Sequence, residues 1–209
     1  MNKPLPLLLF AKAPIAGKVK TRLQSHCSTE QAAAIAEVLL EESIKKACEY
    51  WPGRVLLSVA LDANHHFLRK MCDTYSVELT LQCDGDLGDK MFGAFEQFGY
   101  PAAIMGCDAP HITGVDLQRA HQLLTNGKSV LGPSEDGGYY FIGLSGSHSA
   151  LFENMAWGTD CILSETLQAA KSSDVEFNQL EPLNDVDEWP DLLDAAKQIP
   201  SLQKLINES

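Results

Sequence analysis

The sequence predicts an α/β domain with a mostly parallel central sheet flanked by helices, and three observations carry that expectation. Short apolar runs alternate with amphipathic stretches along most of the chain. The first run, Leu5–Phe10, leads into a loop that holds Lys12, Lys18, Lys20 and Arg22. The run Ala102–Gly106 ends directly on Cys107-Asp108. In such sheets ligands sit beyond the carboxyl ends of the strands, so a basic loop and an aspartate at two such ends mark a site.

Each element has its own signature. Leu5–Phe10 is continuously apolar and reads as a buried strand. Ser28 to Tyr50 reads as a helix: Ser28-x-x-Gln31 is a capping-box pattern, and Ile35, Leu39 and Ile44 fall near one face. Arg54–Ala60 is strand-like, His65–Tyr75 helical and Val77–Gln82 strand-like. Gly88–Phe98 is helical, and its stripe of Met91, Phe92, Phe95 and Phe98 reads as core rather than as an aromatic binding box. Ala102–Gly106 is the next strand, and Thr113-x-x-Asp116 caps a helix that runs to about Leu124. Ser129–Gly132 and Tyr139–Leu144 read as strands around a Gly-Gly turn. A helix over Asp160 to Lys171, a late strand Val175–Leu180 and a last helix Trp189–Gln198 complete the pattern. No repeat, low-complexity tract or linker interrupts it, so residues 1–209 are expected to form one domain.

Composition narrows the function classes. The chain carries 28 acidic against 16 basic residues, a formal net charge of −12. That disfavours nucleic acid as a partner, because nucleic-acid binding needs an extended basic face. It leaves room for one concentrated basic pocket, for which an anionic ligand is the simplest reason. Six cysteines, at 27, 48, 72, 83, 107 and 161, form no Cys-x-x-Cys pair and fit no zinc spacing. They read as free thiols of a reducing compartment. The amino-terminal stretch MNKPLPLLLFAKAP lacks a signal-peptide core and cleavage site. No run approaches the roughly 18 apolar residues of a membrane helix. The expectation is a cytoplasmic protein without membrane contact. Oligomeric state is not readable from these features.

The basic loop is not a Walker A motif. Gly17-Lys18 is present, but Lys12 stands where the first glycine belongs and Val19 where Ser or Thr belongs. No Gly-x-Gly-x-x-Gly fingerprint occurs either. Lys20 and Arg22 share a face only if the segment is extended, and Lys18 and Arg22 only if it is helical. Asp108, ahead of Ala109-Pro110, suits either a hard cation such as Mg²⁺ or a self-capped turn. Gly132-Pro133-Ser134-Glu135-Asp136-Gly137-Gly138 suits either a close ligand approach or a tight turn with solvated acids. Asp185 and Asp187 would point the same way in an extended segment and could join Asp108 around an ion, while Asp187 equally suits a helix N-cap. Gln82 with Gly88 and Asp89, and Trp157 with Thr159, are weaker elements near helix starts. His26, His65 and His66 have no partner visible in sequence.

Taken in order, FAKAPIAGKVKTRL, Gln82 with GDLGDKM, GCDAPHIT, LGPSEDGGYYFIGL, WGTDCILSET and LNDVDEWPDL resemble a bacterial group of GT-A-fold transferases. These are known as glycosyltransferase A family proteins or radical-SAM/selenodomain-associated transferases. They are similar to the wider nucleotide-diphospho-sugar transferase superfamily. The resemblance spans about residues 5 to 195 and implies a single GT-A, Rossmann-like domain that binds a nucleotide and depends on Mg²⁺ or Mn²⁺. It implies that Lys12, Gly17, Lys20, Thr21 and Arg22, with Gln82, Gly137, Gly138 and Thr159, hold the nucleotide. It implies metal roles for Asp108, Asp185 and Asp187. The superfamily's nucleotidyltransferases carry a Gly-Gly pair and a GxGxR loop where this chain has Ala11-Lys12-Ala13-Pro14, and Trp189-Pro190 replaces the commoner Thr-Pro.

Two reactions fit these residues. In glycosyl transfer, a nucleotide-sugar donor loses its nucleoside diphosphate to a small-molecule acceptor, and Glu135 or Asp136 serves as general base. In nucleotidyl transfer, an acceptor phosphate attacks the α-phosphorus of a nucleoside triphosphate, and pyrophosphate leaves. In both, Lys20 and Arg22 counter the charge on the leaving group. The first is the primary expectation and the second its alternative. A non-catalytic nucleotide-binding module is the third.

Overall fold

The computed structural model describes residues 4–60 and 62–207. Met1–Lys3, part of the stretch read above for a signal peptide, lie outside it. The elements follow the order β1 (Pro6–Lys12), α1 (Thr29–Tyr50), β2 (Arg54–Ala60), α2 (His66–Tyr75), β3 (Glu78–Leu81), α3 (Leu87–Phe98) and β4 (Ala102–Gly106). They continue with α4 (Gly114–Thr125), β5 (Ser129–Pro133), β6 (Tyr139–Leu144), α5 (Ile162–Ser172), β7 (Phe177–Gln179), α6 (Trp189–Ala196) and α7 (Pro200–Asn207). Short 3-10 helices cover Thr21–Ser25 and Ser149–Leu151.

The strands form one seven-stranded sheet in the order β3-β2-β1-β4-β6-β5-β7. Pairing is parallel except where β6 runs against both β4 and β5. The chain winds outward from β1 through β2 to β3, then returns through α3 to place β4 on the other side of β1. The winding direction therefore reverses between β1 and β4, and in open α/β sheets the crevice forms at such a reversal. Phe10 pairs with Gly106 in register, so the loop after Lys12 and the segment Cys107-Asp108 leave the sheet side by side.

The core follows from strand alternation. Leu7 and Leu9 face one layer with Leu40 and Ile44 of α1, Leu68 of α2 and Leu117 of α4. Leu8 faces the other with Met91 and Phe95 of α3, and Phe92 and Phe98 pack against that layer. The aromatic stripe of α3 is thus core, as its spacing predicts. A third cluster joins Leu23, Ile35 and Leu39 to Val186, Leu192 and Leu202, and so ties the basic loop, α1, α6 and α7 together. Capping boxes start α3 through Asp86 and Asp89, and α4 through Thr113 and Asp116. The helix α7 has no counterpart in the sequence reading: Pro200 at its start hides a short amphipathic turn whose Leu202 is buried.

Candidate functional site

A cleft of about 440 Å³ opens at the carboxyl ends of β1 and β4, within the size range of small-molecule sites. Lys12, Lys18, Lys20, Thr21 and Arg22 line one wall, Asp108 and Asp187 line another, and Phe10, Gln82 and Leu87 contribute as well. The basic motif and the acidic ones, 88 and 167 positions on from Lys20, meet here.

Lys20 lies at the junction of the two walls. Its ammonium is 2.5 Å from Asp108 Oδ1 and 3.4 Å from Asp187 Oδ1, and its side chain is only 7% exposed. It also donates to the carbonyl of Val186 at 2.7 Å. Burial alone would lower its pKa; the carboxylates of Asp108 and Asp187 outweigh that and hold it above the ordinary lysine value. Lys20 therefore stays charged. Arg22 reaches the other oxygen of Asp187 at 3.4 Å from a largely exposed position.

Local backbone shape explains how both side chains converge on one carboxylate. The segment is neither extended nor α-helical, so neither simple face argument applies. Gly17 has φ +79, which glycine adopts freely, and Lys20 itself is left-handed at φ 46. The 3-10 helix Thr21–Ser25 follows at once and carries Arg22. Leu23 anchors it in the core with no exposed surface. Lys18 lines the cleft and makes no ion pair among the described residues.

The acidic wall departs from an extended strand. The amide of Asp187 donates to the carbonyl of Asp185 at 3.1 Å, so a tight turn separates the two aspartates and their side chains do not simply alternate. The N-cap of α6 is Glu188 rather than Asp187. Asp191 instead accepts from the amides of Glu188 at 2.8 Å and Asp187 at 3.3 Å, which fixes the turn from below. Asp185 is the more enclosed residue, and its Oδ1 is buried with no hydrogen-bond partner among the described residues. Burial, then the carboxylates of Asp108, Asp136 and Asp187, push its pKa up to about 7 against a pull from Lys20.

Other expected residues lie apart from this junction. Asp136 Oδ1 accepts the amide of Gly138 at 2.9 Å, a tight turn that holds the carboxylate beside Asp185. Gly137 has φ +88, and a Cβ there would lie 2.0 Å from the carbonyl of Asp160. The absent side chain at Gly137 thus admits the 157–163 segment, and Gly137 in turn accepts from the amide of Leu163 at 2.9 Å. Gly138 is confined by Asp136. Thr159 donates to Ala156 within its own turn at 2.8 Å, while Cys161 takes the N-cap of α5. None of Gly137, Gly138 and Thr159 lines the cleft. Trp157 packs on Gly88, with its indole nitrogen buried and unpartnered.

Gln82 lines the cleft and donates its amide NH₂ to Ser58 O at 2.9 Å. The sequence reading missed Val186, which supplies a carbonyl rather than a side chain to Lys20. It also missed Ala36 and Leu40 in the lining. It gave His26 no partner, yet His26 stacks on Trp189 with centroids 5.1 Å apart. That contact ties the end of the basic loop to the start of α6, and a histidine–tryptophan pair 163 positions apart leaves no local signal.

The donor set suits a hard divalent cation: carboxylate oxygens dominate, and Asp185 Oδ1 is a buried acceptor with no hydrogen-bond partner among the described residues. Among the described residues, however, no three His, Cys, Asp or Glu side chains converge closely enough to hold an ion. The carboxylates of Asp108 and Asp187 are gathered around the ammonium of Lys20 instead. The described cysteines are all free thiols, and no helix among the described residues is long and apolar enough to cross a membrane.

The chain is similar over its whole length to a structure from Desulfovibrio desulfuricans G20 bearing the name "putative nucleotide-diphospho-sugar transferase", with TM-score 0.84 and 23% identity, covering 99% of this chain and 98% of that one. It is also similar to 4-diphosphocytidyl-2C-methyl-D-erythritol synthase from Anaerococcus prevotii DSM 20548, with TM-score 0.61, 9% identity and coverage of 94% and 96%. A third likeness is glucosyl-3-phosphoglycerate synthase from Mycobacterium tuberculosis, in complex with Mn²⁺, UDP and glucosyl-3-phosphoglycerate, with TM-score 0.53, 10% identity and coverage of 99% and 81%. At these identities the likeness establishes the fold, that of the nucleotide-diphospho-sugar transferases. No curated protein sequence matches the chain. One family model does match, over residues 43–159 and so over more than half of the chain: this protein belongs to the bacterial family described as "Uncharacterized protein conserved in bacteria (DUF2064)".

Proposed function

We propose that this chain is a transferase that takes a nucleotide-sugar donor into the cleft between β1 and β4 and passes the sugar to a small-molecule acceptor. One observation supports this above the others: Lys20 and Arg22 share a wall with Lys12 and Lys18, and that wall closes directly on Asp108 and Asp187. A nucleoside diphosphate needs both halves, cations for its own charge and carboxylates for its metal.

In this reading Lys12, Gly17, Lys20, Thr21 and Arg22 bind the diphosphate. Lys20 and Arg22 stabilise the charge that grows on it as the sugar leaves. The amide of Gln82 meets the nucleobase. Asp108, Asp185 and Asp187 are the residues that would hold Mg²⁺ or Mn²⁺, which would supply positive charge beside the diphosphate. Asp136, oriented by the amide of Gly138, accepts the proton of the acceptor hydroxyl. Gly137, Gly138 and Thr159 act by seating the 157–163 segment beside the acceptor.

A second reading, nucleotidyl transfer onto a phosphorylated small molecule, uses the same cleft. It is favoured by the likeness to a diphosphocytidyl synthase. Products separate the two. The purified chain is incubated with nucleoside triphosphates and nucleotide sugars, each with Mg²⁺ or Mn²⁺, after a thermal-shift panel has picked the nucleotide that stabilises it. Release of a free nucleoside diphosphate supports glycosyl transfer, and pyrophosphate supports nucleotidyl transfer. Stabilisation without turnover on any donor overturns both in favour of a binding module.

A further inference from the structure

We propose that Lys20 is the resident cation of the acidic wall: its ammonium and a divalent ion are alternative occupants of Asp108 and Asp187, so metal enters only as Lys20 is drawn away by the phosphates of a nucleotide. This rests on the reading of the cleft as a nucleotide and metal site, and it adds the order in which the two arrive.

Three observations carry it. First, the Lys20 ammonium is already bonded to Asp108 Oδ1 at 2.5 Å, to Asp187 Oδ1 at 3.4 Å and to Val186 O at 2.7 Å. An ion on the same oxygens would lie within a few ångströms of a buried ammonium, a like-charge contact with little water to screen it. Second, no three acidic side chains converge on a vacant point among the described residues, while Asp185 Oδ1 stays buried without a partner. Mg²⁺ and Mn²⁺ are commonly held by one or two carboxylates completed by phosphate oxygens, so Asp108 and Asp187 would suffice once a nucleotide is present. Third, the backbone at Lys20 is strained: φ 46 is a left-handed conformation unfavourable for a non-glycine residue. Gly17, three residues upstream, has φ +79 and open space around it, and a phosphate group offers the ammonium an equivalent anionic partner.

The test is direct Mn²⁺ binding, read by electron paramagnetic resonance and calorimetry with no substrate present. Lys20→Met removes the charge and keeps the length, and it is expected to bind Mn²⁺ at least tenfold more tightly than the wild type. Lys20→Arg keeps the charge and is expected to bind as weakly as the wild type. Adding Asp108→Asn to Lys20→Met is expected to abolish the gain. Equal Mn²⁺ affinity in the wild type and Lys20→Met, with loss in Asp108→Asn, overturns the competition and leaves the metal site standing. No binding in any variant, with or without the nucleoside diphosphate that best stabilises the protein, overturns both. Should Lys20→Met fail to fold, Lys20→Gln, which also removes the charge, is put to the same measurement with the same expected gain, and equal Mn²⁺ affinity in it and the wild type overturns the proposal.

Discussion

The two walls of the cleft are held in place by different means. The acidic wall is fixed through its backbone. The amide of Val186 donates to Asp108 O at 2.8 Å, that of Leu183 to Pro133 O at 3.1 Å, and that of Glu135 to Leu183 O at 3.1 Å. Val186 is itself buried in the cluster that joins α6 to α1. The basic wall is anchored at its far end by Leu23, and among the described residues its ion pairs to the acidic wall come from the side chains of Lys20 and Arg22. Backbone hydrogen bonds set carboxylates at fixed points, whereas charged side chains on an irregular loop can exchange one anion for another. The difference suggests a division of labour: the acids define the site and the cations respond to what enters it.

Four changes would break or sharpen that contrast. The largest effect is expected at the fixed wall. Asp108→Ala should lower kcat/KM by about a thousandfold or more, since it removes a carboxylate aimed at developing phosphate charge; steady-state release of diphosphate or pyrophosphate checks this. Lys20→Ala should follow, at about a hundredfold in kcat with a smaller change in KM, because its charge acts most on the leaving group. Retention of full activity there would leave the responsive wall without a catalytic role.

The third change tests how rigid the acidic side is. Gly137→Ala should destabilise the fold by about 2–3 kcal/mol, because φ +88 and the carbonyl of Asp160 both exclude a Cβ. Urea denaturation reads it. The smallest effect is expected at the exposed end of the basic wall: Arg22→Ala should raise KM by about threefold to tenfold and leave Tm unchanged, since exposed ion pairs contribute little.

A pH series adds an independent reading of the fixed wall. The folded protein holds the pKa of Asp185 at about 7 against an ordinary 3.8. A raised carboxyl binds its proton more tightly when folded, so its contribution is fully present below about pH 4 and is lost as pH rises through 7. Asp185→Asn in metal-free protein should therefore flatten the fall of Tm between pH 4 and 8. A parallel pH dependence in both proteins would show that the carboxylate is better solvated than its surroundings indicate.

Much of this molecule was legible in its sequence. Arg54–Ala60, Ala102–Gly106 and Tyr139–Leu144 form strands with the expected bounds, and the α1 and α4 caps follow their Ser28 and Thr113 patterns. These features are local: a strand's apolar run and a cap's side-chain oxygen depend on residues within a turn of each other. Lys12, Lys20, Arg22, Gln82, Asp108 and Asp187 were singled out as chemistry-bearing and do line one cleft. The roles of Gly137 and Thr159 were not readable, because the partner that demands glycine at 137 is the carbonyl of Asp160, on a separate loop. The turn at Asp185–Asp187 was read as extended, because the hydrogen bonds that bend it come from Asp191 and from the docking of Val186 on Asp108.

The sequence by itself determined the α/β pattern, the basic island on an acidic chain and the residue types of the site. Patterning and charge are properties of neighbours along the chain, and a single chain displays them in full. Only the tertiary structure decided that Lys20 lies among the carboxylates rather than facing open solvent. That choice is made where the winding of the sheet reverses between β1 and β4, which brings residues 20, 108 and 187 within one ion-pair network. Burial then makes the pairing decisive, because a charge removed from water must find an opposite charge and the fold offers Lys20 two.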